Sequence, residues 1–219
     1  MADRLTLGRM QNPVRGFLHG SAAVASAVGT LVLAFRVPHW PARISVLVFG
    51  LGLIGLYSTS SLYHSVPWRT LWKLRMQKVD HSMIFVLIAA TYTPIAWIAL
   101  DDPIRLITLA VVWSIAFTGI VQKAVSRRRR SSVSIAIMVT MGWISIPLMY
   151  PIAQEAGWSP VALLAIGGVL YTVGMVCLVT NRPRLWPRVF SYHEVFHIFV
   201  VAASLFHFAV AYFYIAPLA

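Results

Sequence analysis

Seven long apolar runs, each ended by charge or proline, constrain this chain more than any other feature. They cover about residues 16–35, 44–65, 79–99, 104–123, 132–152, 160–180 and 193–215. Runs of this length match the roughly 20 residues a helix needs to cross the hydrocarbon layer of a bilayer. Inside that layer every backbone N–H and C=O must be satisfied within the protein, so the spans are expected to be helices. The sequence therefore predicts an all-α, seven-transmembrane helix bundle over residues 16–219, after a short cytoplasmic amino-terminal tail at 1–15. Arg4, Arg9 and Arg15 precede the first run much as a basic segment precedes a signal peptide. That run is long enough to span, which predicts a retained first helix. With 59% hydrophobic and only 11% charged residues, a water-soluble fold of this size is excluded.

The 18 Lys and Arg against 6 Asp and Glu would suggest nucleic acid in a soluble protein. Here the basic residues lie between the apolar runs, so the positive-inside rule and anionic lipid headgroups account for them, and no nucleic-acid partner is expected. Counted on alternate sides, Arg4, Arg9, Arg15, Arg69, Lys73, Arg75, Lys78, Lys123, Arg127 to Arg130, Arg182, Arg184 and Arg188 fall together. Arg36, Arg43 and Arg105 fall opposite. This asymmetry predicts a cytoplasmic amino terminus and an external carboxyl terminus, with Arg127 to Arg130 as a cytoplasmic anchor. Pro94 and Pro147 fall within predicted helices as tolerated kinks.

Against this oily background, polar side chains are the candidates for chemistry. Cys177 is the only cysteine, so a disulfide within the chain and a cysteine-based metal site are both excluded. His193 and His197 are four residues apart, on one face of a helix, and can share an ion. His64 closes the second span and Asp80 opens the third, at the membrane depth where His193 opens the seventh. His64, His193 and His197 match the three-ligand count of a catalytic zinc site and are the predicted ligands for Zn2+. Asp80 can take a proton from a water beside such a metal, or pair with Lys78 or Arg75. Ser60, one turn before His64, can hold that water or bond its own backbone. His193-Glu194-Val195-Phe196-His197 also fits H-E-x-x-H, which would make Glu194 the base of a metalloprotease. His39 falls in a loop, whereas His19 and His207 stand alone in helices and are read as structural.

Several ordered motifs together resemble the bacterial hemolysin III family, which belongs with the progestin and adipoQ receptors. They are Ser60-Ser61-Leu62-Tyr63-His64, Val79-Asp80-His81-Ser82-Met83-Ile84-Phe85, Ala90-Thr91-Tyr92-Thr93-Pro94, Tyr171-Thr172-Val173-Gly174 and Trp186-Pro187-Arg188-Val189-Phe190 before His193-Glu194-Val195-Phe196-His197. The likeness runs from about Arg15 to Pro217. It implies seven helices with zinc near the cytoplasmic side, on His64, His193 and His197, with Asp80 and Ser60 around the zinc-bound water. It also implies hydrolysis of lipid amides such as ceramide. The adiponectin receptors carry glutamine where this chain has Glu194, which argues against a shared role for the glutamate. The expected function is a zinc-dependent hydrolase of lipid amide or ester bonds in the bacterial cytoplasmic membrane. The alternatives are a lipid-responsive sensor with structural zinc, an intramembrane protease, and the pore implied by the family name.

Overall fold

The computed structural model describes residues 10–125, 132–186 and 189–219. Arg4, Arg9, Arg127 to Arg130 and Arg188, on which part of the predicted charge asymmetry rests, lie outside the described residues. The described chain is helical, in the order α1 (Pro13–Arg36), α2 (Trp40–Ser65), α3 (Thr70–Ala99), α4 (Ile104–Val125), α5 (Ser132–Trp143), α6 (Met149–Ala156), α7 (Trp158–Thr180) and α8 (Tyr192–Val210). Seven spans are long and apolar enough to cross a membrane, as the apolar runs predict, with α5 and α6 together forming the fifth.

Hydropathy and helix limits part company at three places. The third helix begins at Thr70, nine residues before the apolar run, because Leu71, Trp72, Leu74 and Met76 alternate with cations that helices accommodate well. The apolar run marks where hydrocarbon begins, and the helix continues past it into the headgroup layer with Lys73 and Arg75 as long-stemmed cations. The fifth span is two helices joined by a short 3-10 turn, Ile146–Leu148, and Pro147 sits in that turn. Pro147 therefore marks a break where a kinked continuous helix was expected, since its ring removes a backbone donor. The seventh span continues beyond α8 through a π-helical turn, Ala211–Ile215, and a final 3-10 turn, Ala216–Leu218. Pro94 does lie inside a continuous helix, α3.

Sequence neighbours pack as spatial neighbours, α1 on α2, α2 on α3, α3 on α4 and α7 on α8, while α1 also meets α8. The third helix is the hub. It touches α2, α4, α5, α6 and the end of the last span, and it is the most buried of the seven spans. Leu33, Val46, Phe49, Leu53 and Tyr57 form one apolar cluster with Leu87 and Val200 between α1, α2, α3 and α8. Phe85, Val112 and Met141 form another around α3, α4 and α5. Large side chains such as Phe35, Leu51, Phe117 and Leu205 face outward, as a lipid-facing surface requires.

The first two helices meet closely at one end. At Gly16 a Cβ would overlap the Ser65 hydroxyl, so glycine lets the start of α1 lie against the end of α2 without displacing that side chain. Ser61 Oγ donates to the Gly16 carbonyl at 2.8 Å. Two terminal carbonyls of α2, those of His64 and Ser65, accept from the Asn12 and Gln11 backbone N–H groups at 3.1 Å each. Those carbonyls would otherwise be orphans of the helix end.

Candidate metal centre

The last helix starts where it does because of two reciprocal bonds. Ser191 is extended and caps α8, and its backbone N–H donates to Glu194 Oε2 at 2.9 Å within a complete capping box. Glu194 Oε1 accepts from Arg15 Nε at 2.6 Å, an ion pair between α8 and α1. The glutamate of the H-E-x-x-H pattern thus has both carboxylate oxygens engaged, one in a cap and one in an ion pair. Its negative charge also suits the helix amino terminus.

With the helix so started, His193 and His197 fall in its first two turns and project toward His64 at the end of α2. One nitrogen of each imidazole lies within 4.8 Å of the others. Ring centroids are separated by 5.0 Å for His64 and His193, 5.0 Å for His64 and His197, and 4.9 Å for His193 and His197. His64 and His197 are buried, and His193 is half-buried. Among the described residues the Nδ1 of His197 has no hydrogen-bond partner although it is fully buried. A buried imidazole nitrogen without a partner carries a desolvation cost, which coordination to a metal removes. Three convergent imidazoles, two from one helical face and one from a distant helix, form a donor set that zinc accepts. The residues present therefore fit the ion the sequence implies.

Asp80 and Ser60 are both buried. The Ser60 hydroxyl neighbours the Asp80 carboxylate, and the buried Lys123 of α4 is a cation nearby. Neither cation named from the sequence as an alternative pairs with Asp80. Lys78 donates to the Ala124 carbonyl, and the Arg75 guanidinium lies over the Trp72 ring at 5.0 Å. Ser60 shares its helix face with His64, so its place beside Asp80 sets the carboxylate of α3 against the helix that carries one of the three imidazoles. His81, beside Asp80, lies within electrostatic range of His64.

Two residues of this neighbourhood were missed by sequence reasoning. His19, expected to stand alone in its helix, stacks on His197 with ring centroids 3.9 Å apart and planes inclined by 14°. Arg15 was counted only as a topological charge. A signal was present: Arg15 and His19 are four residues apart, hence on one face of α1, and that face meets α8. His207 is far from this cluster. It lies beside Tyr171, ring centroids 5.5 Å apart, where the Tyr171 and Ser204 hydroxyls bond at 2.7 Å.

A family profile described as "Haemolysin-III related" matches residues 8–208. The chain belongs to the haemolysin III family. Within it, the "Hemolysin-3" of Bacillus cereus is 31% identical over 219 residues, covering 99% of this chain and 97% of that protein. The "Hemolysin-3 homolog" of Bacillus subtilis (strain 168) is 32% identical over 171 residues, or 78% and 77% of the two chains. The human "Monocyte to macrophage differentiation factor" is 24% identical over 201 residues, covering 88% of this chain and 79% of that one. Such relatives extend the likeness to the progestin and adipoQ receptor superfamily, and the resemblance drawn from the motifs holds. This haemolysin III protein is accordingly a multi-pass membrane protein.

Proposed function

We propose that this haemolysin III protein is a zinc-dependent hydrolase of lipid amide or ester bonds, resident in the bacterial cytoplasmic membrane with its amino terminus in the cytoplasm. The observation that carries the reading is the convergence of His64, His193 and His197 from the second and last spans upon one small volume. Bound there, zinc would supply Lewis-acid activation of a carbonyl and a lowered pKa for water.

The chain's own residues divide the remaining work. Asp80 is the proton acceptor for the attacking water and returns that proton to the departing amine or alcohol, as the water oxygen joins the carbonyl carbon and the C–N or C–O bond breaks. Ser60, beside Asp80, is the residue that orients the carboxylate. Both carboxylate oxygens of Glu194 are engaged, by Ser191 and Arg15, which favours Asp80 over it as the base and speaks against a protease of the H-E-x-x-H type. Membrane lipids are the expected substrates, and anionic headgroups the expected partners of the basic loops.

Purified protein incubated with ceramides and a panel of other lipid amides and esters should release fatty acid, and His193→Ala or Asp80→Asn should bring release to background. No release across the panel would reject the hydrolase. The orientation is tested separately. A single cysteine placed at Ala156 should react with a membrane-impermeant reagent added to intact cells, and protection of that position would reverse the assignment.

A further inference from the structure

His19 belongs to the cluster of imidazoles without belonging to the trio. It is buried, with a fractional exposure of only 2%. Its two aromatic neighbours are His197, face to face at 3.9 Å, and Tyr57, which it meets in a T-shaped contact at 5.0 Å and 70°. An imidazole lone pair lies in the plane of its ring. Two rings stacked at 3.9 Å with planes only 14° apart keep their lone pairs in separate, nearly parallel planes, so no single ion near them can lie in the plane of both rings. The three nitrogens that do converge come from rings inclined at 60° to 82° to one another. His19 is thus placed against the face of a ligand and out of the coordination set.

The helix that carries His19 is moored to the same stretch of α8. One turn earlier on the same face of α1, Arg15 holds Glu194, three residues before His197. Ser61 and the close approach at Gly16 pin that end of α1 to α2, the helix of His64. Successive inward-facing residues of α1 therefore grip successive turns of α8, first by charge and then by a ring face.

We propose that His19 is a positioning residue of the metal centre, a non-ligating histidine whose stacked ring fixes the plane of the His197 imidazole. The inference rests on the metal-centre reading and is independent of whether the protein hydrolyses a lipid. Because a ligand's orientation is set by what packs and bonds around it, loss of such a partner weakens metal binding by about 10–100-fold. A ring stack is the modest end of that range, so about tenfold is expected.

The test uses the full-length protein in detergent, stripped of metal and titrated with Co2+ as a visible probe, and with Zn2+ against a competing chelator. His19→Ala should bind both ions about tenfold more weakly and change the position or intensity of the Co2+ bands. His19→Phe, which keeps a flat face but has no nitrogen, should restore the parent affinity and bands. His19→Leu, which keeps bulk without a flat face, should behave as alanine does and replaces it if the alanine variant fails to fold. Parent-like affinity and bands in the alanine or leucine variant would overturn the proposal. Loss of metal in His19→Phe as complete as in His197→Ala would also overturn it, by making His19 a ligand. Absence of metal binding in the parent protein is a different failure, which sinks the metal centre itself.

Discussion

His197 and His207 sit on the same helix, ten residues or about 15 Å apart. Each has a buried Nδ1 with no hydrogen-bond partner among the described residues. Burial and an orphaned nitrogen are thus common to both, and neither distinguishes a metal ligand from a packing residue. The surroundings do. His197 has three other imidazoles around it, from α1, α2 and its own helix. His207 faces Tyr171 and the backbone of α7, with Gly167 making room for its ring. Convergence of like donors from separate segments marks the first as a candidate ligand. Its absence marks the second as part of the helix packing.

That contrast is open to direct attack. The largest effect is expected from His197→Ala, which should abolish bound zinc in elemental analysis of purified protein, whereas His207→Ala should retain the parent metal content. Equal loss in both would erase the distinction. Next comes the support of the end that carries the imidazole trio. Arg15→Ala leaves the Glu194 carboxylate buried without its guanidinium, and removal of one partner of such a pair costs about 3 kcal/mol. The change should appear as a lower midpoint in detergent denaturation together with weaker metal binding. The smallest effect should come from the other end of α8. A Cβ at Gly167 would lie 2.5 Å from His207 Nε2, so Gly167→Ala should cost about 2 kcal/mol by overpacking. Its metal affinity should equal that of the parent, and a matching fall in affinity would show that the two ends are coupled.

Seven spans were legible because the bilayer imposes its thickness directly on the sequence as apolar length. Helix ends were less legible, since residues such as Lys73 and Arg75 continue a helix into the headgroup layer where hydropathy has already fallen. The trio of histidines could be read from helical spacing and shared depth. The role of Glu194 was legible too, but under a different motif. Ser191-Tyr192-His193-Glu194 fits S-x-x-E, a capping box, and overlaps H-E-x-x-H in the same few residues. Two motifs competed for one carboxylate, and helix-end chemistry took it. The spacing of Arg15 and His19 gave their shared face but not the helix that face meets, and Lys123 was not legible, because helix neighbours are not specified by hydropathy.

The ion pair between Arg15 and Glu194 closes a loop of 179 positions in the chain. At ribosomal speeds of about 5–20 residues per second, roughly 10–40 s separate the synthesis of its two halves. Within that interval, the 129 positions from His64 to His193 take roughly 6–26 s, during which His64 exists and its companions have not been translated. The imidazole trio can assemble only when the final span comes to lie beside the second, so a polypeptide terminated before that span lacks the cluster altogether.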